Sequence, residues 1–309
     1  MRKWVTLGLI PCLAVAAAGW MLSAPKPVVA AISPALEQGG DAERGQVFFN
    51  AGGCASCHAT PGQDDRLKLG GGLELKSPFG SFIAPNISSH KSDGIGGWRV
   101  ADLVNAMQAG VSPSGEHYYP AFPYTTYANA RVEDLRDLMA YLRTLPPVAG
   151  KAPEHRIAFP FNIRRGLGLW KLASLDPRPL TPDPQQSAEW NRGRYLTEAF
   201  GHCAECHSAR DFKGTIIADF RYAGGAEVEG TGWVPNITQH KDGVADWSAK
   251  DIAWMLKSGD TPEGDVVGGS MKSVVKNMAE LPDADRNAIA AYIKALPGRG
   301  SPPKPVKKP

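Results

Sequence analysis

Two five-residue units, Cys54-Ala-Ser-Cys57-His58 and Cys203-Ala-Glu-Cys206-His207, begin 149 residues apart and use four of the five cysteines in the chain. No spare pair remains for a structural disulfide, so this is not a disulfide scaffold. The stretches after each unit repeat as well. Pro85-Asn86-Ile87-Ser88-Ser89-His90 corresponds to Pro235-Asn236-Ile237-Thr238-Gln239-His240, and Trp98 to Trp247. Tyr141-Leu142-Arg143-Thr144-Leu145-Pro146 corresponds to Tyr292-Ile293-Lys294-Ala295-Leu296-Pro297. The period is too long for a stacked solenoid and marks the duplication of a whole domain. A chain of 309 residues has room for two.

Each copy reads as short helices set in long loops. Val100, Leu103, Val104 and Met107 recur at helical spacing after Trp98, as do Ile252, Met255 and Leu256 behind a capping box of Ser248 and Asp251. Leu135, Leu138, Met139 and Leu142, and then Ile289, Tyr292, Ile293 and Leu296, form two closing helices that stop at prolines. No stretch alternates as a strand should, and the expected class is all-α. The 34 glycines and 26 prolines exclude a coiled coil. The net charge of +3 excludes a dedicated nucleic-acid binder.

The repeat sets the domain plan: a first domain at 41–146, a second at 191–298 and a proline-rich segment at 147–190. Phe159, Phe161, Ile163, Leu167, Leu169 and Trp170 would be costly to leave in water, so this segment is expected to pack across the domain interface. The basic tail at 299–309 is expected to be disordered. At the other end, residues 1–30 hold Arg2, Lys3 and an apolar run from Trp4 to Ala24. That run approaches the ~20 residues a bilayer span needs. The basic start keeps the N-terminus cytoplasmic and exports the remainder of the chain. An uncleaved anchor and a cleaved signal, with sites at Ala24 or Ala30, are both open readings. Cys12 reads as an apolar residue of this run.

Two cysteines three positions apart on one helical turn can both form thioethers with the vinyl groups of a haem, and the following histidine then sits under the iron. A zinc site would need four ligands, and neither domain has another cysteine. A thioredoxin-type pair would need a βαβ setting. The expected cofactors are therefore two covalently bound haem c groups, held by Cys54, Cys57 and His58 and by Cys203, Cys206 and His207.

With the stretches PNISSHKSDGIGGW, HYYPAFPYTTY and GDVVGGSM, the chain from about Asp41 to Gly298 resembles the dihaem class I c-type cytochromes. It is similar to the cytochrome c subunits of membrane-bound alcohol, gluconate and fructose dehydrogenases. Those subunits typically carry three haems, so the shorter dihaem relatives fit better. The resemblance implies tandem cytochrome c domains, each of a few short helices around one haem. It also implies periplasmic electron transfer between a partner dehydrogenase and a respiratory acceptor, on the outer face of the inner membrane. Pro85 and Pro235 match the family proline whose carbonyl accepts a hydrogen bond from the proximal histidine.

In this family the sixth ligand is usually a methionine late in the domain. Met271, after Gly268-Gly269-Ser270, is the candidate for the second haem and reads as a loop residue. The equivalent offset from Trp98 brings Phe122, not methionine. Met107 and Met139 lie on helical stripes and read as core, and His90 is matched by His240. His117, five residues before Phe122, is one candidate ligand for the first haem, beside a vacant or water-bound iron. Trp98 and Trp247 read equally as packing residues or as contacts to haem propionates. His155 and His202 read as surface residues. The leading expectation is an electron-transfer protein with no substrate chemistry of its own. A dihaem peroxidase-like enzyme using an open iron in the first domain, or a gas-binding sensor, are the alternatives.

Overall fold

The computed structural model describes residues 14–31, 33–227 and 232–304. Residues 14–22 form a helix, α1, and Pro34–Glu37 a single turn, α2. The first part of the apolar N-terminal run lies outside the described residues. Among those described, no helix is long and apolar enough to cross a membrane.

The first domain is built from α3 (Ala42–Ala51), α4 (Cys54–His58), α5 (Val100–Ala109), α6 (Tyr124–Tyr127) and α7 (Val132–Thr144). Asp41 starts α3 by accepting from the N–H groups of Glu43 and Arg44 at 3.0 and 3.1 Å. The apolar stripes of α5 and α7 are buried as their spacing requires. After α8 (Gly166–Ser174), the second domain repeats the pattern with α9 (Ala188–Tyr195), α10 (Cys203–Cys206), α11 (Ala249–Ser258), α12 (Met271–Met278) and α13 (Asp283–Lys294). The capping box of Ser248 and Asp251 opens α11.

The first and last helices of each domain cross at a glycine. A Cβ on Gly45 would lie 2.0 Å from the Asp137 carbonyl oxygen, and one on Gly193 would lie 1.8 Å from that of Ala288. Beside each glycine an arginine clamps the crossing. Arg44 grips Asp137 at 2.9 and 2.8 Å, and Arg192 grips Asp285 at 2.7 and 2.9 Å.

Among the described residues the helices carry two small antiparallel sheets that the sequence pattern does not announce. β1 (Glu74–Ser77) and β2 (Gly80–Ile83) form a hairpin with Glu74 opposite Ile83, and β3 (Arg156–Ile157) adds to β2. In the second domain β4 (Gly225–Ala226) pairs with β5 (Trp233–Val234). Strands of two to four residues are too short to show alternation.

Other expectations change on contact with the structure. Phe159, Phe161, Ile163 and Leu169 are exposed, not packed between the domains. The segment does reach both domains: the Leu180 N–H donates to the Asn129 carbonyl at 2.9 Å, and the Trp170 indole donates to that of Lys213 at 3.0 Å. Arg299 and Ser301, at the start of the basic tail, are held by Asn236 and Thr238, while residues 305–309 lie outside the described residues. His155 is not a surface residue. Its Nδ1 accepts the Ile83 N–H at 3.0 Å, and its ring meets Phe82 and Tyr119 edge-on.

Gly45→Ala and Gly193→Ala are each expected to cost at least about 1–3 kcal/mol by overpacking a backbone contact, read as a lowered thermal midpoint. A second expectation concerns His155, which burial and then the charge of Arg164 hold below its ordinary pKa. The unfolded residue takes a proton near pH ~6.5 and the folded one only below that. Its stabilising contribution is therefore present above that range and is lost as pH falls through it. His155→Asn, which keeps an acceptor but cannot titrate, should lose less stability than the parent between pH 7.5 and 5 when thermal midpoints are compared.

Candidate functional site

Gly53, in the left-handed conformation at φ 61°, turns the chain into α4 and sets Cys54, Cys57 and His58 on one short helix. In the second domain His202 occupies the same conformation at φ 39° ahead of α10, and His207 comes directly after that helix. Each motif histidine donates from Nδ1 to a proline carbonyl at 2.8 Å, His58 to Pro85 and His207 to Pro235. A carbonyl can only accept, so the proton is on Nδ1 and the lone pair is on Nε2. Neither Nε2 has a hydrogen-bond partner among the described residues. Burial pushes both imidazoles below their ordinary pKa against the opposing pull of the carbonyls, which keeps them neutral.

Burial, reinforced by Cys57, pushes the Cys54 thiol up to about 12. Burial, reinforced first by Glu198 and then by Cys206, does the same to Cys203. Among the described residues no group of three or more His, Cys, Asp or Glu could hold a metal ion. Two thiols a helical turn apart with one open imidazole nitrogen fit a covalently attached haem. In the second domain the buried hydroxyls of Tyr222 and Thr197 lack partners among the described residues, as expected where a bound group completes the core.

The proline carbonyls are placed by their neighbours, which sequence reasoning passed over. Asn86 donates to the Val148 and Gly150 carbonyls at 2.8 Å each and accepts the Ser88 N–H at 2.9 Å. Asn236 repeats this, donating to the Arg299 carbonyl at 2.7 Å and accepting the Thr238 N–H at 2.8 Å. His90 and His240 brace the following turn, where each Nδ1 accepts a backbone N–H from Asp93 or Asp242. The signal was present in the repeated Pro-Asn dipeptide.

The two motifs adjoin. His202, read from sequence as a surface residue, is half-buried, with Nε2 3.2 Å from the Gly52 carbonyl and its ring edge-on to Tyr127. Asn277 on α12 donates to Ser56, between the cysteines of the first motif, at 2.6 Å. Glu205, inside the second motif, accepts from Thr125 and Thr126 at 2.9 and 3.0 Å. Beneath them Phe48 stacks on Phe200 with ring centroids 4.6 Å apart, and one apolar core runs through both domains.

Met271 is not in a loop. It is the first residue of α12, half-buried against the core, in line with Val274, Val275 and Met278. Phe122 packs on Tyr127 with ring centroids 5.4 Å apart. Met107 and Met139 are buried core residues. His117 is buried with both ring nitrogens engaged: Nε2 lies 2.9 Å from the Ser23 carbonyl and Nδ1 lies 3.1 Å from Lys171 Nζ. Trp98 and Trp247 both pack on the core, and the Trp247 indole donates to Glu263 at 2.8 Å.

Comparison with known proteins finds the Cytochrome c family at residues 42–146 and again at 191–297. A diheme cytochrome c-type protein of Cereibacter sphaeroides is 48% identical over 301 residues, covering 96% of this chain and 99% of the relative. The fructose dehydrogenase cytochrome subunit of Gluconobacter japonicus is 35% identical across 86% of this chain and 55% of its own length. The cytochrome c subunit of a quinone-dependent alcohol dehydrogenase from Gluconobacter oxydans is 34% identical across 90% of this chain and 60% of its own length. The chain thus spans somewhat more than half of these two dehydrogenase subunits. The peroxidase-like alternative has no support among these relatives.

Because one core serves both domains, they are expected to unfold in a single transition. Phe48→Ala should cost about 3–5 kcal/mol in denaturant unfolding while lowering that one midpoint, not splitting it in two.

Proposed function

The chain belongs to the cytochrome c family as two tandem domains that each carry a covalent haem c and transfer electrons, and from that premise we propose an intramolecular relay. Electrons enter from a partner dehydrogenase and leave toward a respiratory acceptor on the periplasmic face of the inner membrane. The observation that carries the reading is the junction of the two CxxCH turns, where His202 meets Gly52 over a shared core. The domains run from 41 to 146 and from 191 to 298, and the apolar run within residues 1–30 anchors the chain. A dehydrogenase partner is supported by the names of the relatives, several of which are cytochrome subunits of dehydrogenases.

Bound haem supplies a reversible one-electron iron couple. The chain's own residues hold and tune it. Cys54 and Cys57, and Cys203 and Cys206, provide the thioether sulfurs. His58 and His207 offer Nε2, and the Pro85 and Pro235 carbonyls fix each ring and its tautomer and raise the basicity of that nitrogen. Met271 closes the second site from the start of α12. In the first domain Phe122 stands at the corresponding offset and His117 is committed to Ser23 and Lys171. A haem held by His58 would therefore have neither a methionine at that offset nor a free His117 nitrogen to complete it.

Haem content and electron delivery test the relay. Two haems per chain, both reducible and both reoxidised by respiratory membranes, are expected; one haem or none, or no reoxidation, would overturn it. The fully reduced protein should bind carbon monoxide at one of its two haems, read in the Soret band. Met271→Ala should make binding reach both haems and lower the potential of one, and an unchanged spectrum would remove Met271 as a ligand.

A further inference from the structure

Helix α8 is inside out for a soluble protein. Its one charged side chain, Lys171, points into the molecule, where Nζ donates to the Ala109 and Gly110 carbonyls at 2.7 Å each and lies 3.1 Å from His117 Nδ1. Gly168, on the same inner face, leaves no room for a side chain, since a Cβ there would sit 2.2 Å from the Ser23 carbonyl oxygen. The outer face presents Leu169 and Leu172, which are 48% and 57% exposed. Phe159 and Phe161 stand out from the loop before it, the former 78% exposed. From residue 155 to 175 the chain has four Arg or Lys residues and no Asp or Glu.

This face continues into the N-terminal segment. Ser23, one residue beyond α1, is held by His117, and Arg165 donates to the Trp20 carbonyl at 2.5 Å while lying 4.1 Å over its ring. Trp20 is itself 64% exposed, and α1 comes directly after the apolar residues 4–13. At its other end α8 is tied to the second domain. The Trp170 indole bonds the Lys213 carbonyl, and next to it Phe212 is 92% exposed. Beside Phe212, Asp211 is paired with Lys213 at 3.6 Å, and from Phe159 to Leu172 the exposed aromatic and leucine side chains have no acidic residue among them in sequence. Such a stripe has the chemistry of a bilayer interface, where rings and leucines enter the acyl boundary.

We propose that the outer face of α8, its preceding loop and the Phe212 turn lie in the membrane interface beside the N-terminal anchor. The chain then rests on the bilayer along a surface and is not merely tethered to it. This rests on the anchoring reading given above. Lipid is favoured as the occupant because the stripe adjoins α1, the described end of the apolar N-terminal run, through Arg165 and Trp20. Since α8 is bonded to both domains, lipid contact there sets the orientation of both CxxCH turns relative to the membrane.

The test uses the full-length dihaem chain with Cys12→Ala, bound to vesicles of phosphatidylethanolamine and phosphatidylglycerol. A nitroxide label is placed at Phe159→Cys or Leu169→Cys, and at Lys250→Cys on α11 as an aqueous reference. An unchanged haem spectrum confirms that each variant is folded. Power saturation then compares collision of the label with oxygen, which concentrates in lipid, and with a water-soluble nickel chelate. The expected result is an oxygen-to-nickel ratio several-fold higher at 159 and 169 than at 250. If the chain floats with vesicles but all three labels read as aqueous, the lipid-facing surface is overturned, the anchor stands, and the stripe belongs to a protein partner. If the chain does not float at all, the anchor and the surface fall together.

Discussion

At Gly45 and Gly193 the first helix of each domain passes so close over the last that one added carbon would sit within 2.0 Å of a backbone oxygen. Much of the remaining structure depends on these two crossings. Each is locked by an arginine reaching an aspartate on the opposite helix, so the charges that would otherwise be costly to bury hold the crossing angle instead. The crossing fixes where α3 and α9 end, and hence where the turns into α4 and α10 begin. It also points Phe48 and Phe200 toward each other, and their stacking merges two small cores into one. A domain of about a hundred residues buries a limited apolar surface by itself. Sharing a core, and in the holoprotein a porphyrin, is the physical answer to that shortage.

The shared core has a functional consequence. Electron transfer between two groups in one chain depends on how rigidly the elements that hold them are set. Here each CxxCH turn is bonded to the opposite domain by residues inside or directly beside the motif: Ser56 to Asn277, Glu205 to Thr125 and Thr126, and the Gly52 carbonyl to His202. These groups lie next to the attachment residues, so a change in the angle between domains cannot occur without breaking them. Within each domain the same economy holds. Asn86 and Asn236 pull the proline loop against the chain that leaves the last helix, and the carbonyl that orients the proximal histidine is placed as a result.

The exposed face of α8 and helix α1 adjoin on this rigid unit, where Arg165 bonds the Trp20 carbonyl. Lys171 links them to the haem-bearing fold by capping the last carbonyls of α5 while contacting His117, which in turn holds Ser23. The α8 face and the contacts between the domains are thereby parts of one bonded framework.

Much of this was written in the sequence because it is local or repeated. The cysteine and histidine spacing determines the attachment chemistry, since three residues on one helical turn are neighbours whatever surrounds them. The 149-residue period determines two domains, and the i, i+3, i+4 stripes of α5, α7, α11 and α13 determine which faces are buried. The tertiary structure decided what depends on partners distant in the chain. His202 and His155 look like ordinary polar loop residues until their acceptor and donor, Gly52 and Ile83, arrive from elsewhere. Met271 reads as a loop residue after two glycines until α12 forms behind it. Phe159 and Phe161 look like core until the fold leaves them outside. Hydrophobicity says only that a side chain prefers not to meet water; which surface covers it is settled by the packing of the whole chain.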